Sequence, residues 1–182
     1  LYGYPHSHIL CYLIPGEGGE LEPGSRRFNW VWYVSQSEDE LRSLLTDRDG
    51  VTHRSSLGPG EMAESWADRV RERARADLPP LLADAVERTE SPFVQAIFDM
   101  EAARMVHGRS VLLGDAAFLV RPHTASGASK AAADAVALAH RLAGAEGVTT
   151  EALEGWELER MVAIRQIVHL GRMIAARGGL GL

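Results

Sequence analysis

The chain is poor in the residues that staple a fold, span a bilayer or grip a polyanion. It has one cysteine, Cys11, in 182 residues, which excludes an internal disulfide and any metal site built from several thiolates. That cysteine stands in an apolar run, so it reads as a packed, inert thiol rather than a nucleophile. No apolar stretch approaches the roughly 20 residues needed to cross a bilayer, and the first residues lack the charged-then-apolar order of a signal peptide. A soluble, cytoplasmic protein with no membrane partner is expected. Positive charge is short too: 19 Lys and Arg against 25 Asp and Glu leave a net charge of −6. That balance argues against a surface that binds nucleic acid by neutralising phosphates. The arginines that do cluster, Arg69, Arg71, Arg73 and Arg75, alternate with apolar and acidic neighbours and read as a solvated helix face. A starting methionine is also missing, and Leu1-Tyr2-Gly3-Tyr4-Pro5 leads straight into strand-like sequence, so a piece of a longer protein is expected.

What is present is 46% hydrophobic, enough for one sizeable core or two small ones sharing a seam. Residues 8–14 are a β-rich run that stops at Pro15-Gly16, and the glycine- and acid-rich residues 16–24 read as a hairpin loop. Residues 26–35 form a second strand, with Phe28, Trp30, Trp32 and Val34 on one face and Asn29, Val31 and Tyr33 on the other. Ser37 caps a helix whose first turn is acidic, with Leu41, Leu44 and Leu45 along one side. Met62, Trp66 and Val70 recur every four residues after Pro59-Gly60 and mark a helix; Pro79-Pro80 opens another. Residues 93–100 alternate like a strand, and 110–113 read as a short buried strand. A small-residue helix over 125–142 and a long amphipathic helix over 150–176 complete the chain. The seam between a strand-and-helix unit and a strand-loop-helix unit is placed near His107-Gly108.

The chemistry concentrates after residue 113. There Gly114-Asp115-Ala116-Ala117 follows the apolar run, and Pro122-His123-Thr124-Ala125-Ser126-Gly127-Ala128-Ser129 opens the alanine-rich helix. A carboxylate at the end of a strand accepts hydrogen bonds from a polyol, and the bare N–H groups of a helix start hold a negatively polarised group. Ala125, Gly127 and Ala128 leave room for a flat ring on the backbone, and Pro122 stiffens the loop. A plain strand-turn-helix accounts for Gly114 to Ala117 alone; the proline, the small residues and Asp134 make the pattern far more specific.

Residues 109–135, RSVLLGDAAFLVRPHTASGASKAAADA, resemble the second flavin-binding motif of the class A FAD-dependent aromatic hydroxylases, the para-hydroxybenzoate hydroxylase-like superfamily. The Arg121-Pro122-His123 context and the segment RRFNWVWY are most similar to the 2,6-dihydroxypyridine 3-hydroxylase branch. The resemblance implies an α+β and α/β chain. A β-sheet substrate-binding domain, residues 1–107, would be followed by the C-terminal strand-loop-helix part of a Rossmann-like FAD-binding domain, residues 108–182. It further implies that Asp115 bonds the ribityl chain of FAD and that Pro122 lies beside the isoalloxazine ring. The N–H groups around Gly127, Ala128 and Ser129 would face N1 and O2 of that ring, with His123 toward the substrate. Gly114, Ala125 and Ser126 complete the implied cofactor set, with NAD(P)H as co-substrate.

The chain departs from the family pattern at Phe118, a frequent histidine, at Thr124, a frequent glycine, and at Ser129, a frequent asparagine. The family's opening G-x-G-x-x-G turn and its middle D-G motif have no counterpart: Gly16-Glu17-Gly18-Gly19 lacks the spacing, and Gly178-Gly179-Leu180-Gly181 follows a helix. The N-terminal half of the FAD domain is therefore expected to be absent, and FAD to bind the chain weakly or not at all. The strand at 110–113 is expected to expose a sheet edge that seeks another copy or the missing half as partner.

A small aromatic or N-heteroaromatic substrate is expected on the sheet face carrying Tyr12 and Asn29, with Tyr33 beside them, although ordinary sheet packing also explains these residues. His6 and His8 share a strand face and read as a solvated edge. The seven histidines show no helical metal-ligand spacing, so no metal site is assigned. Ser126 lacks the glycine of a nucleophile elbow, and no general base or other catalytic residue stands out. A non-catalytic ligand-binding or interaction domain that keeps the motif, or one half of a split flavoenzyme, remains an open alternative.

Overall fold

The computed structural model describes residues 2–4, 6–122, 126–144 and 148–177. Two compact units divide the chain, one ending at Ala96 and the other running from Ile97 to Arg177.

The first unit is built on a three-stranded antiparallel sheet of β1 (Tyr2–Tyr4), β2 (Ser7–Ile14) and β3 (Arg27–Val34), in that order. His6, at φ 62, lies in the tight turn between β1 and β2 rather than on the strand face of His8, so the two histidines do not line up as the sequence suggested. Residues alternate across the pleat as expected. Register pairs Ile9 with Trp32 and Cys11 with Trp30 on one face, and His8 with Tyr33 and Tyr12 with Asn29 on the other. The tryptophan face packs against α2 (Glu64–Asp77) and α3 (Pro80–Glu87) through Ile9, Ala74, Leu78, Ala83 and Val86.

Each buried indole keeps its N–H satisfied. Trp30 donates to Thr89 Oγ1 at 2.9 Å, Trp32 to Ser7 Oγ at 2.7 Å and Trp66 to Ser43 Oγ at 3.0 Å. The expected cap on α1 (Glu38–Leu44) is a full capping box, in which Ser37 and Glu40 bond each other's backbone N–H groups. Three of the four arginines of α2 form ion pairs along its surface, Arg71 with Glu64 and Asp68, Arg73 with Asp77 and Arg75 with Glu87, and Arg69 lies over the Trp66 ring. A second small core gathers Leu45, Leu57, Met62, Trp66 and Ala67.

The strand expected over 93–100 is two short ones. Strand β5 (Val94–Gln95) pairs with β4 (Ser56–Leu57) in the first unit, whereas β6 (Met100–Glu101) pairs in the second with β9 (Phe118–Leu119). One alternating run is thus divided between two sheets because the unit boundary passes through it. The strand expected over 110–113 is also shorter. Strand β8 (Ser110–Val111) forms a hairpin with β7 (Val106–His107) of the same unit, through Gly108 at φ +63. Every ladder among the described residues is antiparallel. The two helices of this unit, α4 (Gly127–Ala143) and α5 (Thr150–Arg177), lie within two residues of their expected limits. Its core holds Met105, Val106, Phe118, Leu153, Trp156, Ile164 and Val168, the α5 members recurring at helical spacing.

Candidate functional site

In the second unit the chain leaves Leu113 in extended conformation and closes a single 3-10 turn, Gly114–Ala116. Gly114 is buried at φ +56, and a Cβ there would stand 3.1 Å from Ala131 Cβ of α4. Only glycine tolerates both the left-handed backbone and that approach, so the turn lies flush on the start of α4. Its N–H donates to Asp134 Oδ2 at 3.2 Å.

Asp134 is wholly buried and joins three elements. Its Oδ1 accepts from Arg160 Nε of α5 at 2.8 Å, and its backbone carbonyl accepts from Trp156 Nε1 at 3.1 Å. The sequence flagged Asp134 as part of the motif; the structure gives it the task of clamping the turn to both helices. Beside it lies Lys130, whose side chain is 0% exposed and whose Nζ is 3.9 Å from Asp134 Oδ2. That nitrogen has no hydrogen-bond partner among the described residues. Burial holds its pKa below the usual lysine value, opposed by the Asp134 and Asp115 carboxylates and reinforced by Arg160.

Asp115 stands on the turn with its side chain exposed. Past β9, Arg121 donates to Asp99 at 3.2 Å, and Arg172 of α5 reaches the same carboxylate at 3.1 Å. These pairs hold the entry to the loop. Pro122 follows and is exposed; His123 and Ala125, with Thr124, fall outside the described residues. Helix α4 then begins after Ser126, whose side chain makes no capping hydrogen bond. Ser129 Oγ turns back to the Ser126 carbonyl at 3.1 Å. Gly127 is half-buried, while Ala128 and Ser129 are exposed. The contrast with α1, whose start is closed by its own side chains, is direct. Gly114, Asp115 and the opening residues of α4 therefore come together at one end of that helix, where an exposed anion adjoins a start with positive potential.

The other predicted group lies in the first unit, on the sheet face away from α2 and α3. Tyr12, 48% exposed, is directly opposite the half-buried Asn29. On the same face the His8 and Tyr33 rings meet with centroids 4.6 Å apart. Burial raises the Tyr33 phenol, with Tyr12 a smaller cause, and burial lowers the His8 imidazole. His8 was read as solvated edge. Its spacing of four from Tyr12 on one strand was the available signal that it shares this face. Lys130 and Arg160 were missed altogether, because nothing in an alanine-rich or amphipathic helix pattern marks a buried cation. Among the described residues there is no group of three metal-ligating side chains, and no helix is long and apolar enough to cross a membrane.

A family model described as FAD binding domain-like matches residues 1–99. Two relatives share substantial identity. A 2,6-dihydroxypyridine 3-monooxygenase of Paenarthrobacter nicotinovorans is 34% identical over 181 residues, covering 93% of this chain and 42% of that protein. The phenazine 1,6-dicarboxylic acid hydroxylase PhzS of Lysobacter antibioticus is 41% identical over 167 residues, covering 91% and 37%. Among solved structures, 2,6-dihydroxypyridine-3-hydroxylase from Arthrobacter nicotinovorans superposes with a TM-score of 0.84 at 28% identity, over 97% of this chain and 44% of that one. The chain thus spans less than half the length of the relatives it matches.

Proposed function

Because this chain belongs to the FAD binding domain-like family, we propose that it is part of an FAD-dependent monooxygenase. The reaction is hydroxylation of a small aromatic or N-heteroaromatic ring at the expense of NAD(P)H and O2. On this reading, residues 108–182 contribute the C-terminal part of the cofactor domain and residues 1–107 the substrate side. The resemblance read from residues 109–135 to the class A hydroxylases agrees with the relatives found. The family match falls on residues 1–99, a stretch that holds the RRFNWVWY segment but not residues 109–135.

The observation that carries the proposal is the turn at Gly114–Ala116. It is pressed onto α4 by a glycine that admits no side chain, and it presents an exposed Asp115 at the end where that helix begins. These residues fit a flavin. Asp115 supplies an acceptor for ribityl hydroxyls, and the N–H groups of Gly127, Ala128 and Ser129 suit the polar edge of the ring. Gly127 and Ala128 let a flat ring approach the backbone, and Pro122 and Ser126 flank them on the chain; Ala125, outside the described residues, keeps only the cofactor role that the resemblance implies. FAD, when bound, supplies the redox chemistry by accepting electrons from NAD(P)H and passing them to O2. The work of the chain is orientation and field. Asp134 and Arg160 keep the turn rigid, and the start of α4 lends positive potential to whatever becomes anionic there. On the sheet face of the first unit, Tyr12 and Asn29 offer a donor and an amide to a substrate hydroxyl or ring nitrogen.

The test is an FAD titration of the protein followed by amide NMR, which locates weak binding as well as tight. Shifts are expected first at Gly114–Ala116 and Gly127–Ser129. Asp115→Ala should weaken FAD about tenfold or more, since hydrogen bonds to a charged group contribute about 1.5–3 kcal/mol. Shifts confined to other residues, or an affinity unchanged by Asp115→Ala, would refute the assignment.

A further inference from the structure

Among the described residues, Lys130 is the one buried titratable side chain that the reading above leaves without a task. Its surroundings are hostile to a cation. The side chain is wholly buried, it lies in the opening turns of α4 where the helix potential is positive, and Arg160 adds a second cation to the same cluster. Asp134 does not balance both. Its Oδ1 is taken by Arg160 at 2.8 Å and its Oδ2 by Gly114 N–H at 3.2 Å, leaving Lys130 at 3.9 Å and without a hydrogen bond among the described residues. Two cations thus share one buried anion, and the second carboxylate that acts on Lys130 is Asp115, out on the exposed turn. An isolated buried charge costs several kcal/mol, and a methionine of nearly the same shape would fill the space without that cost.

We propose that Lys130 is a positioning residue of the cofactor site, a buried ammonium next to the Gly114–Ala116 turn whose field favours the reduced, anionic form of the bound flavin over the oxidised form. It acts through space and through the turn it adjoins, without touching the cofactor. The helix start contributes potential of the same sign, but only the lysine can be removed by substitution. The inference rests on the flavin reading of this site.

The test compares wild type with Lys130→Met and the charge-retaining Lys130→Arg. Dissociation constants are measured for oxidised FAD, and anaerobically for dithionite-reduced FAD, alongside thermal unfolding without cofactor. In wild type, reduced FAD is expected to bind more tightly than Lys130→Met allows by roughly tenfold, the size of a unit charge acting across a partly polar interior. For a two-electron couple that corresponds to a potential lower by about 30 mV in the methionine variant. Oxidised FAD should change less than twofold, Lys130→Arg should keep the wild-type ratio, and Lys130→Met should unfold no earlier than wild type. Equal losses for both forms, an unchanged ratio, or a lower unfolding temperature in Lys130→Met would each overturn the inference while leaving the flavin site standing. If wild type binds neither form, this inference is overturned, whereas the flavin reading, which already expects weak binding or none from this chain, is not refuted by that result.

Discussion

Replacing Asp134 by alanine should be among the most damaging single substitutions in the second unit. Asp134 is 0% exposed, and its carboxylate is shared by Arg160, whose side chain is 11% exposed, and by the N–H of Gly114. Removing it leaves two cations, Arg160 and Lys130, facing each other without a counter-ion and strips an acceptor from a buried N–H. Breaking a buried ion pair from one side costs about 3–5 kcal/mol, and an orphaned buried donor about 1–3 kcal/mol. The two penalties overlap because Arg160 can move toward solvent, so a loss of about 4 kcal/mol is expected. That is a large part of a typical total stability of about 5–15 kcal/mol. At about 2–4 °C per kcal/mol for a chain of this size, Asp134→Ala should melt roughly 8–16 °C below wild type by far-UV circular dichroism, with a matching fall in urea midpoint. The cluster also predicts coupling. Adding Lys130→Met to Asp134→Ala removes one of the stranded charges and should restore about 1 kcal/mol or more. An Asp134→Ala loss under about 1 kcal/mol, or a double variant no more stable than the single one, would refute the account of a charge cluster with Asp134 as its buried anion.

Other consequences are open to simple measurements. Gly114→Ala forces a side chain into a left-handed backbone 3.1 Å from Ala131; a loss of about 1–3 kcal/mol is expected in urea unfolding, with weaker FAD binding as the turn lifts from α4. Ser37→Ala removes one half of the capping box on α1 and should cost about 1 kcal/mol, read as a lower unfolding midpoint with no effect on FAD. His8 has its pKa lowered from 6.5 by burial, so as pH falls below that value the unfolded chain takes up the proton first and stability declines. Urea midpoints from pH 8 to pH 5 should therefore drop more steeply in wild type than in His8→Gln; parallel curves would contradict the placement of His8 on the covered part of the sheet.

Much of the local structure was legible without coordinates. The long helix α5 was evident from its apolar spacing, the Ser37 cap from an oxygen-bearing side chain ahead of an acidic turn, and the β2–β3 hairpin from alternation on either side of a glycine-rich loop. Each of these is decided by neighbours within about four residues or by strict alternation, so a linear pattern carries it. The candidate site is legible only as a pattern of residue types, a glycine and a carboxylate followed by small residues ahead of a helix, and its reading as a flavin site comes from the resemblance of residues 109–135. Where the reading slipped, the deciding partner was distant in sequence. Residues 93–100 alternate as one strand, yet their ladder partners, residues 56–57 and 118–119, lie in different units; the strand expected to offer a free edge, β8, instead pairs with its close neighbour β7.

The sequence by itself determined the elements, the binary pattern of the sheet and the small-residue motif that points to a flavin, since all of these depend on the chain's nearest covalent neighbours. Tertiary structure alone decided what Asp134 does and that Lys130 is buried beside Arg160 without a hydrogen-bond partner among the described residues. Burial and charge balance are sums over groups brought together from residues 114, 130, 134 and 160, and no spacing rule along the chain encodes that sum.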